Sequence, residues 1–266
     1  MNYVITILFS IMVVVNLSSC NLTTAGIGNQ GLTIKEVDGK LVSIMPNSNI
    51  KVDHNAWDVL LKKYVNDKGF VDYKEFKKDH DKLKAYLTKL SETPPNAEWS
   101  VQELLAYYIN LYNAATVDLI LDNYPLKSIK DISRPWGKDF VKIGDKVVSL
   151  NTIEHGILRK MNEPRIHFAI NCASISCPKL LRDAFLADKI QEQLQKATDE
   201  FINSNQNDIS ENNPKLSKIF DFYTSDFKLN GKTDLIGFIN QYSRIKINPK
   251  AKYSFKDYDW RLNEQD

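Results

Sequence analysis

Cysteine is scarce in this sequence: three in 266 residues, at Cys20, Cys172 and Cys177. Net charge is nearly absent as well, with 35 basic against 33 acidic side chains and lysines mixed among Asp and Glu throughout. No basic patch is therefore available to attract a nucleic acid. There is no glycine-rich phosphate loop, no Gly-x-Ser-x-Gly elbow and no carboxylate pair at a recognisable spacing. Nucleotide-phosphate cradles, serine-hydrolase elbows and glycosidase pairs have no footing here. No repeat or low-complexity tract occurs, and nothing after Cys20 reads as a run made to cross a membrane.

Charged side chains are also missing from residues 1–19. From Val4 to Val15 only Thr6 and Ser10 interrupt an apolar run. At about a dozen residues it suits the apolar region of a signal peptide and falls short of the roughly twenty needed to span a bilayer. It ends in Leu17-Ser18-Ser19-Cys20, which resembles the bacterial lipobox. Small side chains let the peptidase reach the scissile bond, and the cysteine thiolate takes the diacylglycerol. The usual Lys or Arg before the apolar run is missing, leaving the α-amino group as the positive charge. The expectation is a signal peptide over 1–19 and a lipid on Cys20. That lipid would hold the chain on a bacterial envelope membrane, at the periplasmic face or the cell surface.

Residues 20–50 read as the lipidated cysteine and a tether, with Gly26, Gly28, Asn29, Gly31 and Pro46 and one short hairpin at Asp38-Gly39. Residues 51–266 read as one globular domain, since 43% apolar and 11% aromatic residues can build a core. Trp57, Leu60, Leu61 and Tyr64 fall at helical spacing, as do Leu83, Tyr86, Leu87 and Leu90 before Pro94-Pro95. Between them, Asn66 to Phe76 invites a calcium loop. With Gly69 as its glycine, however, Tyr64 and Lys68 occupy positions that need oxygen ligands, so a turn with a short strand is expected. Ser100 and Glu103 form a capping box ahead of a helix to about Asp122, whose apolar face is broad enough to make it central. A hairpin over 141–150 turns near Gly144-Asp145, and a short helix carries Glu154, His155 and Arg159. Strands are expected over Arg165–Cys172, Leu216–Tyr223 and Tyr253–Tyr258, and helices over Asp183–Asn203 and Thr233–Tyr242. The class is α+β, helices packed around a small, mainly antiparallel sheet.

Three segments hold most of the unusual polar residues: Asn110-Leu-Tyr-Asn113-Ala-Ala, Ile153-Glu154-His155-Gly-Ile-Leu-Arg159, and Arg165-Ile-His167-Phe-Ala-Ile-Asn171-Cys172-Ala-Ser-Ile-Ser-Cys177-Pro178. On these motifs, and on the closing Tyr258-Asp259-Trp260-Arg261-Leu262-Asn263, the chain resembles the domain of unknown function 547 family over roughly residues 55–263. The resemblance implies a fold partner and no chemistry.

The side chains must therefore speak for themselves. A bridge between Cys172 and Cys177 is one reading, since thiols this close pair in an oxidising compartment when their Cα atoms come within about 7 Å. A thiol nucleophile is the sharper one: an imidazole stabilises a thiolate, and a carboxylate or amide orients the imidazole. Cys177, with Cys172 second, would attack. His167 or His155 would take the proton and Glu154 would orient the ring. Strand alternation places His167 and Cys172 on opposite faces, which favours Cys177. Arg159, Arg165, Asn110, Asn113 and Asn171 are the candidate binding groups, with the arginines able to pair with Glu154 or Glu103 or to grip a substrate carboxylate. A helix followed by histidine-bearing strands is distantly papain- or transglutaminase-like, but the order is wrong, because the central helix carries no cysteine. Zinc on two histidines, two cysteines and Glu154 would need tighter spacing than Cys-x4-Cys. Tyr107, Tyr108, Tyr112, Trp136 and Trp260 stand nearest a cleft, although tyrosines at helical spacing are more often core. The sequence thus supports a cysteine-dependent hydrolase or acyltransferase on a peptide or amide. Its alternative is a non-catalytic binding or scaffold lipoprotein held by a Cys172–Cys177 disulfide. Neither reading needs a cofactor or a metal, and no nucleic-acid partner is expected.

Overall fold

The computed structural model describes residues 28–39, 41 and 52–265. The expected signal peptide, Cys20 and much of the tether lie outside the described residues.

The domain is organised by its longest helix. Among the described residues four α-helices come first: α1 (Asn55–Tyr64), α2 (Tyr73–Phe76), α3 (His80–Glu92) and α4 (Val101–Asn123). At the start of α4 the Ser100 side chain accepts from the Glu103 amide, while Glu103 accepts from the Ser100 amide, completing the expected capping box. From Glu103 to Asp118 every residue of α4 is buried. By length and composition α4 could cross a membrane, which the sequence reading did not allow for. Its apolar window is instead 94% buried, as befits the core helix it was expected to be. Helix α3 lies along it, with the Tyr107 hydroxyl donating to Leu90 O at 2.8 Å.

Strands are few and short. β1 (Val141–Ile143) and β2 (Lys146–Val148) form the expected antiparallel hairpin, turning at Gly144 with φ +61°. Beyond them come α5 (Ile190–Ile202), β3 (Lys215–Leu216), α6 (Lys218–Phe222), β4 (Lys228–Leu229), β5 (Lys232–Thr233), α7 (Leu235–Tyr242) and β6 (Ser254–Phe255). β4 pairs antiparallel with β5, and β3 pairs parallel with β6. The α+β class holds, with three two-stranded ribbons among the described residues where one small sheet was expected.

Two expected strands are not strands. Over Leu216–Tyr223 the chain leaves β3 at once, because Ser217 accepts from the Ile219 amide and starts α6. Over Arg165–Cys172 a 3-10 turn, Pro164–Phe168, replaces extended chain. Pro164 presets φ for the first helical position, and the Glu163 carboxylate caps the Arg165 amide. The Asp183–Asn203 helix starts late, at Ile190, because the Gln193 side chain instead holds Leu186 N and Ala184 O in a turn.

The core divides in two. One cluster surrounds α4, and a second, rich in phenylalanine, joins Phe168 to Phe201, Phe220, Phe227 and Phe238. The 3-10 turn straddles them, with Ile166 and Ala169 in the first and Phe168 in the second. Residues 28–39 of the expected tether lie on the first cluster. Leu32 and Val37 are buried, and the Val37 amide donates to Met161 O at 2.8 Å. The chain bends at Gly39 with φ +70°, and the far arm of the expected hairpin lies outside the described residues.

Candidate functional site

At the seam between the two clusters lies a cavity of about 210 Å³, walled by Glu154, His155, His167, Cys172 and Cys177. All five side chains expected to carry chemistry therefore meet in one place. Trp136, Phe222, Tyr223, Tyr258 and Trp260 give the cavity its aromatic lining.

Local backbone explains the convergence. Ser149 caps the Thr152 amide and starts a wide turn, Thr152–Ile157, which presents Glu154 and His155. Gly156 has no room for a side chain there, since a Cβ would stand 2.7 Å from Gly28 O of the docked N-terminal segment. The 3-10 turn then removes the strand alternation that would have sent His167 and Cys172 to opposite faces. Both now line the cavity.

The loop that carries the thiols is pinned from two sides. On one, the Asn171 amide donates to Asn113 Oδ1 (2.8 Å) and Asn113 Nδ2 donates to Ala169 O (2.9 Å). On the other, the closing segment of the chain receives it: Ile175 N donates to Arg261 O, and Ser176 N to Asp259 O. The Asn171 side chain spans the loop, holding the Ala173 amide (2.8 Å) and Pro178 O (2.7 Å). Ala173 takes a left-handed φ of +57°, a conformation a residue with a Cβ adopts only when its surroundings impose it.

Cys172 and Cys177 are free thiols, so the expected staple is not formed, although their sulfurs lie 2.8 Å apart. Their environments differ. Cys172 is half-buried, and its sulfur also meets the hydroxyls of Ser174 (3.2 Å) and Tyr258 (3.1 Å). The hydrogen bond from Cys177, helped by those hydroxyls, lowers the Cys172 pKa against the opposing effect of burial. Cys177 is 7% exposed, and burial pushes its thiol well up. The sequence preference for Cys177 as nucleophile does not fit this asymmetry.

Behind the thiols lies a charge network with a member the sequence reading did not name. Asp226 accepts two bonds from Arg159, Nε to Oδ2 at 2.6 Å and Nη2 to Oδ1 at 2.7 Å. It also meets His167 Nε2 at 2.9 Å. Burial raises the Asp226 pKa, but the bonds from His167 and Arg159 outweigh it and hold the carboxyl well below the usual range. Arg159 was expected to pair with Glu154 or Glu103; Asp226 takes it instead. Burial lowers His155 first, with Arg159 adding to the effect and Glu154 opposing it. Arg159 Nη1 contacts His155 Nδ1 at 2.9 Å. Glu154 is held by two hydroxyls, Tyr112 (3.1 Å) and Tyr223 (2.5 Å). It therefore does not orient a histidine in the expected manner, its nearest approach to His155 Nε2 being 3.9 Å. His167 stacks on Tyr223 with ring centres 3.9 Å apart, and its Nδ1 is buried with no partner.

None of the five expected binding residues lines this cavity, Arg159 being taken by Asp226. Arg165 forms a two-pronged pair with Glu163 and also donates to Gln191. Asn110 clasps the Phe185 backbone, donating to its carbonyl and accepting from its amide. Asn113 and Asn171 hold the thiol loop, as above. A burial argument alone cannot separate such clasps from binding groups, because both are polar side chains kept among apolar ones. Trp136 and Trp260 do reach the cavity, as expected, whereas Tyr107 and Tyr108 are core. Asp226, Tyr223 and Tyr258 were missed as site residues. The only sequence signal among them was Tyr258, which opens the closing motif.

Among the described residues, the cluster of metal-ligand side chains is His80, Asp118 and Asp122, none of which lines the cavity. Lys84 already sits 3.2 Å from Asp118 and 3.0 Å from Asp122. Where the calcium loop was considered, Asn66 Oδ1 is taken by the Lys68 and Phe70 amides, so it caps a turn.

Residues 96–202 match the family described as "Protein of unknown function, DUF547". That span contains the motifs bearing Glu154, His155, His167, Cys172 and Cys177, while Tyr223, Asp226 and Tyr258 follow it. No curated protein and no solved structure matches the chain.

Proposed function

We propose that this member of the DUF547 family, so placed by residues 96–202, is a cysteine-dependent hydrolase or acyltransferase. In it Cys172 attacks, His167 moves the proton and Asp226 orients His167. The observation that carries the reading is the buried, unpartnered Nδ1 of His167, a residue that lines a cavity also lined by a thiol. Such an atom is costly to leave unpaired, and natural folds keep few of them. A carboxylate can only accept, so the proton shared with Asp226 resides on Nε2, and Nδ1 is the nitrogen left to act as base. That is the arrangement of base and orienting acid on which nucleophilic catalysis rests.

The reaction needs little beyond these groups. His167 takes the proton of the Cys172 thiol, the thiolate adds to an acyl carbon, the leaving group departs with that proton, and a thioester remains. Water, or an acceptor amine or alcohol, then gives a proton to His167 and attacks the thioester, returning the thiol. Ser174, Tyr258 and Cys177 donate to the thiolate while it waits. The aromatic lining favours an acyl group with an apolar side chain, and the volume favours a small one. The leader-like run and Leu17-Ser18-Ser19-Cys20 support a lipid anchor at Cys20 and hence a substrate among the peptides and amides of a bacterial envelope.

The test uses p-nitrophenyl acetate and intact-mass detection of the acyl-enzyme. Acetyl should appear on Cys172, vanish in Cys172→Ala, and form roughly a hundredfold or more slowly in His167→Ala. Cys177→Ser should still be acetylated. If Cys172→Ala is acetylated as fast as the parent, the alternative of a binding or scaffold lipoprotein replaces this reading.

A further inference from the structure

Cys177 forms and breaks no covalent bond in the acyl-transfer steps, where it only hydrogen-bonds the Cys172 thiolate, yet the fold spends much of its local order on holding it against Cys172. The sulfurs are 2.8 Å apart, and the Cys172 amide itself donates to Cys177 Sγ at 2.9 Å. Asn171 grips Pro178 O, next to Cys177, from the residue before Cys172. The Cys177 amide closes a turn on Ser174 O. A disulfide needs sulfurs at about 2.05 Å, so closing the pair asks for a movement of less than about one ångström. Both cysteines border the cavity, but Cys172 is half-buried and the more accessible to an oxidant, whereas Cys177 is 7% exposed. This is the division of labour between an attacking and a resolving thiol.

We propose that Cys172 and Cys177 form a reversible intramolecular disulfide on meeting a small disulfide oxidant, and that this closure withdraws the nucleophile. The withdrawal rests on the acyl-transfer reading, while the closure stands on the thiol geometry alone. In the first step the Cys172 thiolate attacks one sulfur of R–S–S–R, forming Cys172–S–S–R and releasing RS⁻. In the second, Cys177 gives up its proton, attacks Cys172 Sγ and expels the second RS⁻. Two protein thiols lose two electrons and two protons, and the oxidant leaves as two molecules of RSH. A dithiol reductant reverses both steps.

The experiment treats the purified full chain, with Cys20→Ser to leave only this pair, with oxidised glutathione. Remaining thiols are then blocked and the intact mass is read. The chain should lose both free thiols while carrying no glutathione, and dithiothreitol should restore them. In Cys177→Ser one glutathione should stay on Cys172. A lasting glutathione adduct on the chain with both cysteines, or two thiols that survive treatment, overturns the proposal. That measurement does not depend on how the variant folds. p-Nitrophenyl acetate turnover, read on the same samples, should disappear on closure and return on reduction. Turnover that survives closure overturns the withdrawal. Closure in a chain without turnover upholds the disulfide and removes the acyl-transfer reading instead.

Discussion

His167 and Asp226 are joined by a single hydrogen bond, and Arg159 donates twice to the same carboxylate. Replacing Asp226 by Asn therefore does two things at once. It gives His167 a neutral partner that can present either oxygen or N–H, freeing the imidazole to place its proton on Nδ1. It also leaves the Arg159 guanidinium without its counter-charge. Asp226→Asn should slow acetylation of Cys172 by about a hundredfold or more, with far less effect on alkylation by iodoacetamide, which needs a thiolate but no proton donor for a leaving group. Equal losses in the two assays would mean that Asp226 only supports the fold. Cys172, Cys177, His155, His167 and Glu154 were legible in the sequence because polar groups concentrated in an apolar stretch need a reason to be there. Asp226 was not, since it is one of many acidic residues and stands 59 positions from its histidine. The preference for Cys177 over Cys172 rests on strand alternation, which does not apply to a segment whose Pro164 and Glu163 start a 3-10 turn.

Helix α4 acts as a ruler against which both halves of the site are set. Its asparagines clasp backbone in two places one helical turn apart, Asn110 at Phe185 and Asn113 at Ala169 and Asn171. Truncating either to Ala leaves a buried amide and a buried carbonyl unpaired, at a cost of about 1–3 kcal/mol for each group. The two variants should therefore show similar falls in urea midpoint. They should differ at the site, because only Asn113 holds the residue before Cys172. Asn113→Ala should lower the iodoacetamide reactivity of Cys172 severalfold near neutral pH, while Asn110→Ala leaves it unchanged. The ruler idea fails if both variants lose reactivity in proportion to stability. Long periodic elements such as α1, α3 and α4 were readable because a wide apolar face and a capping box act over many residues. Short strands of two or three residues carry no such statistics, and Leu216–Tyr223 shows a single Ser217 cap deciding between strand and helix.

Across the whole molecule, the N-terminal segment and the first core cluster form one body, with Tyr108 donating to Thr33 O and Lys35 to Trp99 O. A glycine-bearing tether read only from composition gave no sign of that docking, because its apolar residues, Leu32, Ile34 and Val37 among them, keep no helical period. Where the described chain resumes, His54 is buried at 5% exposure with Nδ1 2.6 Å from the Tyr86 hydroxyl. Burial raises the tyrosine pKa, so Tyr86 stays the donor and His54 the acceptor, a role open only to the neutral ring. Burial above all, with a smaller contribution from Lys89 against the pull of Asp53, lowers the His54 pKa from 6.5 to about 4. The unfolded chain thus binds a proton on this ring at a higher pH than the folded chain does. Stability falls as pH drops from about 6.5 towards 4, and the loss is complete below the folded value. Between pH 7.5 and 4.5 this one ring should cost about 2.5 kcal/mol. His54→Gln keeps an acceptor for Tyr86 and does not titrate, so its stability should fall by that much less over the same interval. Urea unfolding at the two pH values gives the comparison directly. Parallel losses in parent and variant would show that His54 is protonated alike in both states and that acid sensitivity resides elsewhere in the fold.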